Sequence, residues 1–227
     1  MEHTMIQTRG LSKIYHMGSS QVEALKEVDL TIQEGAFVAL TGTSGSGKST
    51  LMHLLGGLDI PTEGEVWING ECLSKCKESR LAEIRREQIG FVFQKFCLIQ
   101  ELSVRENIIL PILLSSRKVD EAYIEELCQI LGLTDRMTHM PSELSGGQQQ
   151  RVAIARALAN HPSIILCDEQ TGNLDHATSQ DVMNLLHDIH KRYQKTMVIV
   201  THDPHIAEGA DYILQLEDGK IVGCIQN

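Results

Sequence analysis

A short glycine-rich segment, Gly42-Thr-Ser-Gly-Ser-Gly47-Lys48-Ser49-Thr50, constrains the fold of this chain more than any other feature. It fits the pattern G-x-x-x-x-G-K-[ST], in which backbone N–H groups surround a phosphate. The preceding residues, Phe37–Thr41, have the pattern of a short buried strand, and Ser49–Leu55 have that of a helix. The sequence therefore predicts a strand, a phosphate loop and a helix in direct succession.

Each residue type in this loop suits a triphosphate. Glycine lets the backbone approach the phosphate where a Cβ would clash. A helix that begins near Gly47 adds its positive end to the same anion. Lys48 would reach the β- and γ-phosphates, and the Ser49 hydroxyl would bind Mg²⁺. We therefore expect ATP contacts from the whole loop: Gly42, Thr43, Ser44, Gly45, Ser46, Gly47, Lys48, Ser49 and Thr50.

Size and charge narrow the class of protein. A chain of 227 residues suits one α/β domain. The net charge of −10 disfavours a nucleic-acid protein that relies on a general positive field. The beginning of the sequence has no signal pattern, so we expect a cytoplasmic chain. The most apolar segment, Ile108–Leu114, is short and contains Pro111, so a membrane role would need a partner.

The periodicity of apolar residues changes along the chain. Strands are predicted at Ile6–Ile14, Val22–Ile32, Phe37–Thr41, Gln88–Gln94, Ile164–Cys167 and Thr196–Val200, with hairpin turns at Asn69-Gly70 and Asp218-Gly219. Between about Lys95 and Ala159 the pattern is helical, and a further helix follows Cys167. Alternating strands and helices predict a mostly parallel sheet with helices on both faces. The six cysteines, which include Cys72 and Cys76 but no second pair, predict reduced thiols rather than a zinc site.

Two acids follow the buried strand Ile164–Cys167. An apolar strand that ends in an acid is a common way to hold Mg²⁺ beside a phosphate loop, which favours Asp168 as a metal ligand. Glu169, one residue further, would orient or deprotonate the attacking water. Without the phosphate loop, two solvated acids would explain the pattern equally well.

A second candidate anion site lies at Leu144-Ser145-Gly146-Gly147-Gln148. Small residues at the start of a predicted helix, Gln148–Ala159, expose N–H groups to an anion. An ordinary helix start is the alternative for this segment alone. Two anion-binding loops and one nucleotide per chain favour two copies that meet head to tail, with each ATP between the loop of one copy and Ser145 of the other.

At these residues the chain resembles the ATP-binding cassette family. Its residues Leu144–Gln148 are similar to the signature motif of that family, and Gln149–Leu158 continue as the family sequence does. The resemblance implies an ATPase with a mostly parallel α/β core, an N-terminal antiparallel β subdomain and an inserted helical subdomain. It divides one domain into a core of residues 1–94 and 160–227 and a helical part of residues 95–159. Further roles are implied for Tyr15 (adenine stacking), Gln94 (Mg²⁺ or water), Asp175 (the dimer interface) and His202 (the γ-phosphate).

By residue type alone, Tyr15 could equally be a core or surface residue and His202 a cap or surface residue. One departure is Gln170, where related proteins have proline after the catalytic Glu169. Proline stiffens the backbone, so Gln170 is either a neutral substitution or a cause of slower hydrolysis.

A narrower resemblance, in Phe91–Phe96, Arg105–Asn107 and Thr171–Asp175, is to the lipoprotein-release and macrolide-export group of these ATPases. It implies a membrane permease that docks near Gln94 and a chain held at the inner face of the cell membrane. Apolar residues that would either meet the permease or belong to the core are Phe96, Leu98, Ile109 and Leu113. Other classes left open are a soluble iron–sulfur assembly ATPase and a cell-division scaffold.

Overall fold

The structure is a computed structural model that describes residues 3–18, 20–93, 95–168, 176–201, 207 and 209–227. It contains a four-stranded and a six-stranded sheet. The four-stranded sheet is antiparallel and has the order β2-β1-β4-β5. Its strands are β1 (Thr4–Met17), β2 (Ser20–Gln33), β4 (Glu63–Ile68) and β5 (Glu71–Cys72).

The predicted Asn69-Gly70 turn is confirmed between β4 and β5. Both residues have positive φ, 47° and 76°, which a two-residue hairpin of the primed type requires. Asparagine and glycine are the residues that tolerate this backbone at least cost.

The six-stranded sheet has the order β10-β9-β3-β8-β7-β6. Its pairs are parallel except for the hairpin of β9 and β10, which turns at the predicted Asp218-Gly219. The strands are β3 (Phe37–Thr41), β6 (Ile89–Val92), β7 (Ile164–Cys167), β8 (Thr196–Val200), β9 (Tyr212–Glu217) and β10 (Lys220–Gln226). The expected mostly parallel α/β core is thus confirmed.

Both faces of the parallel sheet are covered, because adjacent residues of one strand point into two different hydrophobic clusters. Ile165 and Cys167 of β7 pack with residues of α3, α4, α5 and α6. Ile164 and Leu166 pack with α1, α2 and the antiparallel sheet. The helices are α1 (Lys48–Leu55), α2 (Glu78–Gln88), α3 (Val104–Leu114), α4 (Glu121–Ile130), α5 (Gly146–Leu158) and α6 (His176–Tyr193).

The helical pattern between Lys95 and Ala159 is broader than the helices themselves. Three helices lie there, α3 to α5. A loop at residues 95–103 precedes them, and loops at residues 115–120 and 131–145 separate them, the last with two short 3₁₀ turns. Pro111 does not interrupt the apolar segment, since α3 continues through it to Leu114. The proposed division into core and helical parts stays a prediction; α3, α4 and α5 share a hydrophobic cluster with strands of the parallel sheet.

Two of the apolar residues considered for permease contact belong to the core. Leu98 is 8% exposed and Ile109 is 6% exposed, whereas Leu113 is 54% exposed. Burial of Leu98 and Ile109 follows from their packing against helices and strands of the same cluster. None of the helices in the described ranges combines the length and apolar character that crossing a lipid bilayer requires.

Candidate nucleotide-binding site

The predicted phosphate loop lies between the end of β3 and the start of α1, as the sequence indicated. Gly42 has φ 146° and Gly47, the N-cap of α1, has φ 104°. A Cβ at Gly42 would lie 2.1 Å from the carbonyl oxygen of Leu216, and one at Gly47 would lie 2.4 Å from that of Ala24. The loop is therefore wedged between β9 and β2, and only glycine fits at these two positions.

Lys48 is held inside this loop although its side chain is charged. The residue is 6% exposed, and its Nζ donates to the carbonyl oxygens of Gly42, at 2.9 Å, and Thr43, at 2.7 Å. These bonds compensate for the lost hydration of the ammonium group. They also fix a positive charge at the start of α1, where the helix dipole favours an anion.

Ser49 and Asp168 meet at the carboxyl edge of the parallel sheet. Ser49 Oγ donates to Asp168 Oδ1 at 3.1 Å, and the Asp168 backbone N–H donates to the Val92 carbonyl at 3.0 Å. A hydroxyl and a carboxylate are hard oxygen donors, which Mg²⁺ prefers together with phosphate oxygens. Among the described residues, no three His, Cys, Asp or Glu side chains gather to form a metal site on their own. The donor set thus fits Mg²⁺ that is held together with a bound phosphate.

A cavity of about 560 Å³ opens beside the loop. Tyr15 of β1 lines it, so the structure brings the predicted base-stacking side chain to the same cavity as the phosphate loop. Burial and a hydrogen bond to Asp59 raise the pKa of the Tyr15 phenol. The remaining lining residues are Val22, Glu23, Ala24, Lys26, Ser44, Gly45, Gly47, Lys48, Ser49, Thr50, Asp218 and Gly219.

The second anion loop lies elsewhere: neither Ser145 nor Gln148 lines this cavity. Ser145 is the exposed N-cap of α5. Its Oγ accepts from the Gln148 N–H at 3.3 Å, while Gln148 Oε1 accepts from the Ser145 N–H at 2.9 Å. This reciprocal pair is a capping box, which fixes the start of the helix. With Gly146 and Gly147 in the first turn, this helix start is glycine-rich and lies apart from the one at α1. That it binds an anion stays a prediction.

Four predicted site residues, Gln94, Glu169, Asp175 and His202, lie outside the described residues. The strands that precede three of them, β6, β7 and β8, are parallel neighbours and end at one edge of the sheet. That edge is where Ser49 and Asp168 meet.

Sequence reasoning missed two residues beside Tyr15. Asp59 and Lys13 form a partly buried polar cluster with it, at 2.8 Å from the Tyr15 hydroxyl to Asp59 Oδ2 and 2.7 Å from Lys13 Nζ to Asp59 Oδ1. Neither residue belongs to a motif, and they are 46 positions apart in the chain. Only the placement of β1 beside the end of α1 reveals them.

The fold and the loop geometry define a phosphate-loop protein of the α/β class. Residues 25–172 match the ABC transporter family. The lipoprotein-releasing system ATP-binding protein LolD of Legionella pneumophila is 44% identical over 223 residues, which cover 97% of this chain and 98% of that protein. The macrolide export ATP-binding/permease protein MacB of Wolinella succinogenes is 45% identical over 223 residues. That match covers 97% of this chain but 34% of the longer protein, so the chain spans about a third of such relatives.

Solved structures agree with this assignment. The dimeric post-hydrolysis state of the ATP-binding cassette MJ0796, bound to ADP and Pi, superimposes with a TM-score of 0.90 at 43% identity and covers 98% of both chains. The chain therefore belongs to the ABC transporter family, and its relatives of similar length are ATP-binding subunits.

Proposed function

We propose that this chain binds and hydrolyses ATP as one of two identical subunits that drive a membrane permease of the lipoprotein-release or macrolide-export type. One observation carries the proposal: Ser49 and Asp168 meet beside the phosphate-loop cavity, while Ser145 lies exposed at a separate helix start. The first site would bind the nucleotide, and the second would reach the nucleotide of another copy.

The described residues divide the task of binding. The loop N–H groups and Lys48 would hold the phosphates, and Tyr15 would stack on the base. Ser49 and Asp168, with Gln94, would hold Mg²⁺, which neutralises charge on the β- and γ-phosphate oxygens when it is bound. A cavity of about 560 Å³ is within the usual range for a small-molecule site.

Hydrolysis would depend on positioning and on charge stabilisation, as in other phosphoryl transfers. Glu169 directly follows Asp168, so it would lie next to the metal-binding carboxylate and orient the attacking water. His202, which comes two residues after β8, would contact the γ-phosphate. Asp175 would act at the interface between the two copies.

Dimerisation would complete the site. Each ATP would lie between the phosphate loop of one copy and Ser145, Gly146, Gly147 and Gln148 of the other. Loss of the γ-phosphate would remove an anion that both copies bind, so hydrolysis would separate them. The dimeric form of MJ0796 with ADP and Pi supports this arrangement.

A permease partner is supported by the names of the LolD and MacB relatives, which belong to a lipoprotein-releasing system and to macrolide export. We place its docking surface near Gln94 and the exposed Leu113. The chain would then work at the cytoplasmic face of the membrane, with no nucleic-acid partner. The same relatives favour transport over iron–sulfur assembly or a cell-division scaffold.

The test replaces the proposed water-positioning acid. Glu169→Gln should keep ATP binding, reduce steady-state hydrolysis at least about 100-fold and yield a dimer with Mg-ATP in light scattering, because the amide cannot accept a proton. Glu125→Gln, an exposed acid on α4, is the matched control and should behave as the unaltered protein. Normal turnover in the Glu169 variant, or a monomer with Mg-ATP both alone and beside the permease, would contradict the proposal.

A further inference from the structure

A polar cluster of Lys13 and Asp59 contacts the Tyr15 side chain, and neither of the two residues lines the cavity. The Asp59 carboxylate accepts three hydrogen bonds. The donors are the Tyr15 hydroxyl at 2.8 Å, the Lys13 ammonium at 2.7 Å and the backbone N–H of Ile60 at 2.7 Å. Lys13 Nζ also donates to the Ile60 carbonyl at 2.6 Å. One carboxylate therefore orients a tyrosine and a lysine at the same time.

The cluster is partly shielded from water. The Lys13 side chain is 11% exposed and that of Asp59 is 29% exposed. Burial opposes ionisation of Asp59, but the hydrogen bonds from Lys13 and Tyr15 outweigh it and lower the pKa of the carboxyl. A shielded, charged hydrogen bond of this kind is stronger than a solvated surface pair.

Lys13 also lies over one face of the Tyr15 ring and thereby covers it. Its Nζ lies 4.9 Å from the ring centroid, within the range of a cation–π contact. Because the ammonium occupies one face of the ring, the opposite face is left for a flat ligand. Tyr15 lines the cavity, so that ligand would lie in the same space as the phosphates.

The cluster connects the aromatic side chain to the segment that follows α1. Asp59 comes four residues after the helix, and Thr50, in its first turn, lines the same cavity as Tyr15. Helix α1 begins at the phosphate loop, so the bond from Tyr15 to Asp59 ties the position of the ring to the segment that ends this helix. The ring and the loop line the same cavity.

We infer that Asp59 is a positioning residue for the nucleotide base: it holds the Tyr15 ring, backed by Lys13, at the distance from the phosphate loop that a nucleotide requires. This inference depends on the proposed nucleotide binding and adds a determinant to it. Asp59 does not line the cavity, so it would act through Tyr15. The probe must therefore separate contacts to the base from contacts to the phosphates.

The experiment compares Mg-ADP with magnesium pyrophosphate, which lacks the base, by calorimetric titration. Asp59→Ala should weaken ADP binding about tenfold, since a charged hydrogen bond that orders the ring is lost. Pyrophosphate binding should change less than about twofold. Asp59→Asn keeps an acceptor for the tyrosine but not the charge that holds Lys13, so its effect should be smaller, about threefold.

A double-mutant cycle separates positioning from a general structural role. Tyr15→Ala should weaken ADP binding about tenfold, and adding Asp59→Ala to it should weaken binding no further, because the residue acts only through the ring. In steady-state hydrolysis, Asp59→Ala should raise the KM for ATP and leave kcat within about twofold. The control is Asp29→Asn, an exposed acid of the same sheet that accepts the Gly10 N–H at 2.7 Å and should leave both constants unchanged.

Each outcome decides one point. Unchanged ADP affinity in Asp59→Asn and Asp59→Ala overturns the inference, as does equal weakening of ADP and pyrophosphate, or an Asp59 effect that persists without Tyr15. If Tyr15→Ala binds ADP normally, the base-stacking role fails and the inference fails with it. If only Lys48→Ala then abolishes ADP binding, nucleotide binding itself still stands. If Asp59→Ala unfolds, Asp59→Asn carries the same comparison.

Discussion

At the scale of single residues, the glycines of the phosphate loop differ in what a side chain at each would meet. A Cβ at Gly42 would lie 2.1 Å from the Leu216 carbonyl oxygen, whereas a Cβ at Gly45 would have nothing within 4 Å. Both residues have positive φ, 146° and 79°. The pair therefore separates steric exclusion from backbone strain within one loop.

We expect Gly42→Ala to lower the free energy of unfolding by at least about 2 kcal/mol, because the methyl group would force β9 away from the loop. Gly45→Ala should lower it by about 1 kcal/mol, the cost of the backbone conformation alone. Urea unfolding of the two variants measures both values. Equal losses of unfolding free energy in the two variants would mean that β9 moves away from the loop at no energetic cost.

At the scale of elements, Asn107 organises the loop that precedes α3. The residue is 0% exposed. Its amide nitrogen donates to the carbonyl oxygens of Ile99, Leu102 and Ser103 at 2.9 to 3.0 Å, and its oxygen accepts from the Ile99 N–H at 2.9 Å. One side chain thus binds four backbone groups in residues 99–103 and holds this segment against the start of α3.

Asn107→Ala should destabilise the protein by about 3 kcal/mol, because it empties a fully buried site and removes the amide partner of the Ile99 N–H and the Leu102 carbonyl. Asn184→Ala, on the exposed side of α6, is the matched control and should stay within about 0.5 kcal/mol. Chemical unfolding followed by circular dichroism gives both differences. A small effect at Asn107 would indicate that water reaches the loop and replaces the amide.

The same loop explains what the sequence could and could not predict. Apolar residues at regular spacing correctly indicated β7, β8, α4 and α6, because in these elements the buried face sets the pattern. Residues 95–103 contain apolar side chains too, but the backbone there is held by Asn107 from outside the segment. A local pattern does not encode such a contact, so the sequence alone predicts a helix there and is wrong.

Pro111 shows that a residue unfavourable to helices can be tolerated inside one. Proline lacks an N–H group and so removes one helical hydrogen bond. The structure keeps α3 helical around it, with Ile108 and Ile112 buried at 0% and 4% exposure. Burial of the apolar face outweighs the missing bond. In the candidate site, motifs identified the phosphate loop, Asp168 and the capped Ser145, whereas Asp59 and Lys13 required the three-dimensional placement of β1 beside the end of α1.

At the scale of the whole molecule, the six cysteine thiols differ in their exposure, so their reactivity can distinguish the surface from the core. Cys97 and Cys224 are exposed, whereas Cys128 and Cys167 are buried in the cluster that α3 to α6 form on the parallel sheet. Burial raises the pKa of Cys128 to about 11 and also raises the pKa of Cys167. Buried thiols with raised pKa values are protonated and inaccessible, so they react only when the structure opens.

A chromogenic disulfide reagent at about pH 8 should therefore modify the two exposed thiols rapidly in the native protein, and all six in denaturant. Replacement of Cys97 and Cys224 by serine should remove the fast phase. The slow reaction of Cys167, in the strand β7 that is paired on both sides, requires the parallel sheet to separate, so it measures the population of the open molecule. The proposed nucleotide site lies at the edge of this sheet, so Mg-ADP should bind only when the sheet is intact. At about 100 times its dissociation constant it should slow modification of Cys167 about 100-fold, while Cys97 and Cys224 react as before; a Cys167 rate that ignores the nucleotide would show that β7 opens without disturbing the phosphate loop.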